Sequence, residues 1–195
     1  LAVGLHLTLT DGRAIAPRLQ LSRLVDHDGA LEKNPVWAGV KYFFCRSLRS
    51  ELRCEITAQI QRFYETGLEL DHINGHLNIH LHPTILPVIL HSIRNGSCRF
   101  VRLTREPLGI NLRRGKGALG YRLAHVAVFS CLSAWAKRIL DRAGVSYTDR
   151  VSGLLQPDDM NPEFVSSLLR KLPTGSSEIY FHPEECKKGD NVDLR

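Results

Sequence analysis

Four of the nine histidines lie within residues 70–83, and they are the residues whose types and spacing best suit chemistry. Neutral imidazole is the commonest metal ligand and titrates near physiological pH. His76 and His80 are spaced i, i+4, so a helical segment would place both on one face, as a metal-binding pair requires. An irregular turn between a strand and a helix could also bring them together. The run therefore predicts metal binding or acid–base chemistry.

Histidines elsewhere in the chain are weaker candidates. His6 lies in the apolar segment 2–9, where a lone histidine is more often a hydrogen-bonded core residue than a ligand. His182 follows a predicted strand, and its structural and functional interpretations are evenly balanced. Within the run, His72 and His82 are interpreted as structural, and a purely structural role remains an alternative for the whole run.

A catalytic divalent ion usually takes three protein ligands and leaves one position for water. Two histidines therefore need a third partner, and a carboxylate is the natural choice. Four aspartates are available, although none is singled out by its placement: Asp11, Asp26, Asp28 and Asp71. The residues alone leave the third ligand open.

The elements that must position these residues alternate between strands and helices. Strands are predicted over residues 2–9, 68–73, 100–103 and 178–181, helices over 47–67, 83–96, 123–142 and 162–171, and loops over 13–35 and 109–122. This alternation predicts an α/β fold with parallel strands. The candidate residues lie at or just beyond the carboxyl ends of the predicted strands: His6, His76, His80, Arg102, Arg105 and His182. That edge hosts the chemistry in parallel α/β folds.

Composition limits the class of protein. The 195 residues suffice for one domain with a core, and no apolar run approaches the ~20 residues that span a bilayer. The five cysteines form no CxxC pair, which favours reduced thiols in the cytoplasm over a disulfide framework. The net charge of +6 permits anionic partners. No nucleic-acid-binding module is recognised, and no carboxylate pair suited to a glycosidase stands out.

Several motifs resemble those of a known family. Gly4-Leu5-His6-Leu7-Thr8-Leu9 and the segment 71–80 are similar to two histidine motifs of the YdjC-like carbohydrate deacetylases. The segments 100–105 and 180–183 match looser signatures. The continuation His80-Leu81-His82-Pro83, the basic and apolar stretch 113–142 and the ending 178–183 are most similar to the hopanoid biosynthesis-associated branch of that family.

The resemblance implies a distorted (β/α) barrel of the glycoside hydrolase/deacetylase type, incomplete in this chain. It implies one domain over residues 1–195 that lacks the first strand or strands and the last element. It also implies a centre of one aspartate and two histidines that binds a divalent ion, Mg²⁺ or Zn²⁺. The roles carried over are metal binding for His6 and His76, catalysis for His80 and His182, and substrate binding for Arg102 and Arg105.

The activity that the resemblance implies is metal-dependent removal of an N-acetyl group from an acetylated amino sugar. The substrate could be an N-acetylglucosaminyl hopanoid lipid or a chitooligosaccharide, and a non-catalytic metal- or sugar-binding module is the alternative. The family's Asn-Ala-Asp-Asp-Phe-Gly segment is absent here, so we expect the 195-residue chain to be catalytically impaired. Asn74 stands where much of the family has aspartate, and we interpret it as a marker of the branch.

The expected location is the cytoplasm, with peripheral contact at the inner membrane surface. The basic loop 109–122 and the following apolar helix would suit such contact. Ordinary core packing is the alternative explanation for most residues of that helix. No nucleic-acid partner is expected.

Overall fold

The computed structural model shows parallel strands that alternate with helices, and it describes residues 2–93, 98–105, 119–153, 162–172 and 174–181. The strands are β1 (Val3–Leu7), β2 (Leu70–Gly75), β3 (Phe100–Val101), β4 (Ser146–Tyr147), β5 (Arg150–Ser152) and β6 (Ser177–Ile179). The helices are α1 (Pro35–Phe44), α2 (Arg49–Tyr64), α3 (Leu86–Ser92), α4 (Leu119–Ala143) and α5 (Pro162–Leu169). Short 3-10 turns cover Arg18–Gln20, Arg46–Leu48 and His76–Leu81.

Four parallel strands form the main sheet in the order β1-β2-β3-β4. In the pairing of β1 with β2, His6 lies opposite Asn74. The parallel pair β5 and β6 is joined to the segment after β3, because the amide of Val151 donates a hydrogen bond to the carbonyl of Arg105. The predicted α/β class with parallel strands is confirmed. The implied barrel is not: within the described residues both sheets are open.

Helix α2 covers the sheet because its apolar side chains recur at helical spacing. Leu52, Ile56 and Ile60 are spaced four residues apart and are buried in one cluster with residues of β1 and β2. Burial of a side chain of this size stabilises the fold by roughly 1.5–3 kcal/mol. Gly67 adopts a left-handed φ of 75° after the helix, a conformation that glycine adopts without strain. The helix predicted over 47–67 is confirmed with narrower bounds.

A buried carboxylate of α2 holds the long segment between β1 and α1. Glu55 is fully buried, and its two oxygens accept the backbone amides of Ile15 and Ala16 at 2.9 to 3.1 Å. The side-chain amide of Gln59 donates to the same carboxylate at 2.7 Å. The segment is therefore fixed to α2 with little secondary structure of its own, in agreement with the loop predicted over 13–35.

Helix α1 is missing from the sequence-based prediction. Its cap is clear, because Asn34 Oδ1 accepts the amides of Val36 and Trp37, each at 3.0 Å. The helix buries only Ala38 and Tyr42. In most surface helices the large apolar residues face the core, but in α1 they face outward, so the apolar pattern does not mark the packed side.

The carboxyl-terminal half of α4 packs on the sheet. Ala136 and Leu140 are buried in a second cluster with Val101 and Leu103, which supports ordinary core packing for this half of the helix. No helix among the described residues is long and apolar enough to cross a membrane. Most of the predicted basic loop at 109–122 lies outside the described residues. Four described cysteines carry free thiols, as predicted: Cys45, Cys54, Cys98 and Cys131.

Candidate functional site

The carboxyl ends of β1 and β2 bring two predicted metal ligands together. His6 lies near the end of β1, and His76 directly follows the last residue of β2. Their ring centroids are 5.9 Å apart, with the ring planes inclined by 75°. The two strands are parallel neighbours, so their carboxyl ends meet at one edge of the sheet. The structure thus places these two histidines, which are distant in sequence, next to each other at this edge.

Asn74 fixes the orientation of the His6 ring from the neighbouring strand. Its side-chain oxygen Oδ1 lies 2.6 Å from His6 Nδ1. An amide oxygen only accepts hydrogen bonds, so Nδ1 carries the proton and the lone pair of the neutral ring is on Nε2. Asn74 is buried, whereas His6 is exposed. Metal-binding histidines are typically held in this way through the ring nitrogen that does not bind the metal.

A left-handed turn separates His76 from His80. Leu77 and Asn78 have φ values of 49° and 59°. This conformation costs about 1–2 kcal/mol for a residue such as leucine, whereas asparagine adopts it more readily. Asn78 Oδ1 accepts a hydrogen bond from Thr104 Oγ1 at 3.0 Å, which holds the turn against the segment after β3. The turn breaks the helical spacing, so His76 and His80 do not share a helix face. Of the two geometries that the spacing allowed, the irregular turn is observed.

The His80 ring lies in the interior instead of at the open edge. It has no exposed surface, and its Nε2 donates to the carbonyl oxygen of Arg102 at 2.9 Å. Desolvation of the charged form lowers the pKa of His80 to about 3. Gly75 leaves room for the ring, because a Cβ at that position would lie 3.0 Å from His80 Nδ1. These contacts are structural, and none of them supports the predicted catalytic role.

The other two histidines of the run also make contacts within the fold. The His72 ring packs over Gly4, where a Cβ would clash with it, and its Nδ1 lies 3.2 Å from the Asp71 carboxylate. His82 Nε2 donates to the carbonyl of Gly39 at 3.0 Å, while its Nδ1 accepts a backbone amide at 3.1 Å. Burial lowers the pKa of His82. Both residues agree with the structural interpretation.

Arg102, predicted to bind substrate, is engaged inside the fold. Its side chain is buried, forms an ion pair with Glu178 of β6 and lies 5.0 Å from the ring centre of Tyr180. These contacts tie the segment after β3 to β6. Arg105 is only partly buried. Substrate binding by either arginine stays a prediction, and His182, the other predicted catalytic residue, lies outside the described residues.

One group of three potential metal ligands is found in the part of the chain that the structure describes: Asp26, His27 and Asp28, in an exposed turn. Their ligand atoms lie within 4.8 Å of one another. The backbone amides of Ala30 and Asp28 donate to Asp26 Oδ1 at 2.8 and 2.9 Å, and the bond from Ala30 is the main cause of a lowered Asp26 pKa. The group could hold an ion, but this carboxylate already closes the turn. No described carboxylate forms such a group with the two edge histidines.

The edge histidines fit the two-histidine part of a divalent metal centre. Two imidazoles on one ion, with Zn–N bonds of about 2.1 Å, bring their ring centroids roughly 5–6 Å apart, and the observed separation is 5.9 Å. The proton on His6 Nδ1 leaves Nε2 as the ligating atom. Imidazole suits zinc and several other divalent ions, so this donor pair does not select one metal.

Comparison with known proteins supports the fold and gives a family. A family model described as YdjC-like protein matches residues 1–192. A search of curated proteins finds no match. Among solved structures, a candidate cellobiose-phosphate cleavage protein from Enterococcus faecalis V583 is similar, with 22% sequence identity and a TM-score of 0.61. The match covers 96% of this chain and 62% of that one, and at this identity it shows the fold alone.

Proposed function

This chain belongs to the YdjC-like family, whose members process carbohydrates, and on that premise we propose that its site hydrolyses the N-acetyl group of an amino sugar with a divalent metal ion. The observation that carries the proposal is the pairing of His6 with His76 at one sheet edge, with Asn74 holding His6. The similar structure is named for cellobiose-phosphate cleavage, which also favours a carbohydrate substrate.

In this proposal His6 and His76 hold the ion through ring nitrogens. A divalent ion bound there would supply Lewis acidity toward the acetyl carbonyl. Asn74 keeps the proton on His6 Nδ1, so that Nε2 remains the ligating atom. Hydrolysis breaks the amide C–N bond, joins a water oxygen to the acetyl carbon and protonates the departing amine. We assign that last proton transfer to His182, and removal of the water proton to a carboxylate outside the described residues.

We assign His80 a positioning role. Its neutral ring is enclosed and bonded to the backbone of Arg102. The ring packs against Gly75, the last residue of β2, and therefore supports the backbone from which His76 projects. A group with a pKa near 3 would rarely carry a proton at neutral pH, which disfavours a general-acid role.

A non-catalytic metal- or sugar-binding module is the second candidate. It is favoured by the donor set in the described part of the chain, where two histidines meet without a carboxylate that could act as third ligand or base. Such a centre could bind an ion and a sugar without completing hydrolysis.

Metal titration tests the shared premise of both candidates. Calorimetry with Zn²⁺ and Mg²⁺ on the chain, His6→Gln and His76→Gln should show at least tenfold weaker binding in both variants, because each removes a ligand. His91→Gln is the matched control, since His91 is exposed on α3. Equal affinities in all three variants would contradict the assignment of the site.

Acetate release separates the two candidates. The chain is incubated with metal and either an N-acetylated chitooligosaccharide or an N-acetylglucosaminyl lipid, and free acetate is measured. Release that requires metal and is abolished in His6→Gln supports the deacetylase. Metal and sugar binding without any acetate supports the binding module for these 195 residues, as the absent Asn-Ala-Asp-Asp-Phe-Gly segment would lead us to expect, and contradicts hydrolysis by this chain. The difference between the two substrates reports which acceptor the site prefers.

A further inference from the structure

The outer face of α1 carries large apolar side chains with exposed fractions between 40% and 74%: Val36, Trp37, Val40, Phe43 and Phe44. At about 100° per residue these five positions fill an arc of roughly 120° on the helix, and no polar residue falls inside it. We call this arc the α1 apolar face. A contiguous apolar surface of this kind marks an interaction site more often than a chance exposure.

The opposite side of α1 is firmly attached to the core. Ala38 and Tyr42 are buried, and the Tyr42 hydroxyl donates to the carbonyl of Leu9 at 2.6 Å. The helix is also tied to the segment that follows the candidate metal edge, because His82 Nε2 donates to the carbonyl of Gly39. The α1 apolar face is thus presented by a helix held in place on its other side.

The segment that contains α1 is rich in positive charge. Residues 32–50 contain four basic residues, Lys33, Lys41, Arg46 and Arg49, and one acidic residue, Glu32, for a net charge of +3. Glu32 is already paired with Lys41 at 2.6 Å. In a two-fold dimer through this face the two positively charged segments would repel each other. A surface of anionic phospholipid is complementary to both the apolar residues and the charge.

We propose that the α1 apolar face docks on an anionic phospholipid surface. Trp37, Phe43 and Phe44 enter the interfacial region, where aromatic side chains are favoured, and the basic residues of this segment contact the headgroup phosphates. Because the His82 ring contacts both Gly39 and Phe43, docking would bring the segment that follows His76–Leu81 close to the lipid surface. The docking does not depend on which reaction the His6–His76 edge performs.

Vesicle binding with a single tryptophan tests the proposal. The chain has two tryptophans, so Trp135→Phe leaves Trp37 as the reporter. Trp37 emission should shift to the blue and be quenched by brominated lipids in vesicles that contain phosphatidylglycerol, and much less in pure phosphatidylcholine. Phe44→Ser should weaken binding about tenfold or more. Leu169→Ser, at another exposed apolar residue on α5, should leave binding unchanged.

Two results would overturn the proposal. One is no binding to phosphatidylglycerol vesicles, or binding that Phe44→Ser does not weaken more than Leu169→Ser. The other is sedimentation that shows concentration-dependent self-association, lost in Phe44→Ser, without any vesicle binding, which would assign the face to a second copy of the chain. Metal affinity of the Phe44→Ser variant should match that of the parent chain, so failure here is distinct from failure of the metal site.

Discussion

Burial of His80 predicts a loss of stability in mild acid that substitution at this position should reduce. The pKa of His80 is about 3 in the folded protein, whereas an unfolded histidine has a pKa of about 6.5. Below pH 6.5 the unfolded chain therefore takes up a proton that the folded protein does not. The stability that the neutral His80 contributes is fully present above pH 6.5, and it is lost as the pH falls from 6.5 toward 3.

The two pKa values give the size of the effect. At pH 5 the unfolded chain gains about 2 kcal/mol from protonation of this one ring, and the gain reaches roughly 4–5 kcal/mol near pH 3. Domains of ordinary stability unfold with about 5–15 kcal/mol. A single buried histidine is therefore enough to change the stability of this fold measurably between pH 8 and pH 5.

Urea unfolding at pH 8 and pH 5 measures the effect in the parent chain, His80→Gln and His91→Gln. The carboxylates titrate in all three proteins alike, so a difference in pH dependence between the proteins reports on the substituted histidine. Between pH 8 and pH 5, the free energy of unfolding of His80→Gln should fall by about 2 kcal/mol less than that of the parent chain. The free energy of unfolding of His91→Gln, a change at an exposed position, should fall by as much as that of the parent chain. The same loss in His80→Gln and His91→Gln, or an NMR titration of His80 near pH 6, would refute the reasoning.

Three further substitutions, each with a matched control, have effects that follow from contacts of one side chain or backbone position. Glu55→Ala should lower the free energy of unfolding by about 3–5 kcal/mol, because three donors lose an acceptor and two of those hydrogen bonds are buried. Glu69→Ala, at an exposed position, should change the free energy of unfolding by less than about 0.5 kcal/mol in the same urea titration. Gly4→Ala should lower the free energy of unfolding by about 1–3 kcal/mol, because the new Cβ would clash with the His72 ring. Gly120→Ala, at an exposed position of α4 with open space around it, should leave the melting temperature unchanged or raise it. Asn74→Leu should weaken Zn²⁺ binding about 10–100-fold by calorimetry, because it removes the acceptor for His6 Nδ1. Asn74→Asp should keep or strengthen Zn²⁺ binding, because a carboxylate accepts the same hydrogen bond and makes the imidazole a more basic ligand. Equal Zn²⁺ affinities of Asn74→Leu and the parent chain would show that this hydrogen bond does not prepare the metal site.

The parts of the fold that periodicity predicted are those whose apolar side chains point inward. Helix α2 and strand β1 are examples, because their buried residues follow the helical and apolar patterns that the core imposes. Helix α1 escaped prediction for the opposite reason: its apolar residues face outward. Strands β4 and β5 have two and three residues, too few to carry a pattern. Their extended conformation is set by pairing with strands far away in the sequence.

In the candidate site, too, one feature could be predicted from the sequence and another depends on contacts between residues distant in sequence. Parallel strands end at one edge, so the meeting of His6 and His76 could be anticipated from element order and from the family resemblance. The separation of His80 from His76 could not, because it depends on Leu77 in a left-handed conformation that its own sequence disfavours. A hydrogen bond from Thr104, distant in sequence, holds that turn in place.

Asn74 shows how a structure can change the meaning of a substitution noticed in a sequence. An amide cannot act as a base and binds metal less well than a carboxylate, so an amide at a position where the family resemblance leads us to expect aspartate raises doubt about function. In the structure its oxygen is used as an acceptor for His6 Nδ1, a task that an amide and a carboxylate both perform. What differs is charge: a carboxylate would strengthen this hydrogen bond and make the imidazole a more basic ligand. The amide therefore preserves the orientation of His6, and in the proposed metal site it would lower the metal affinity without removing the ligand.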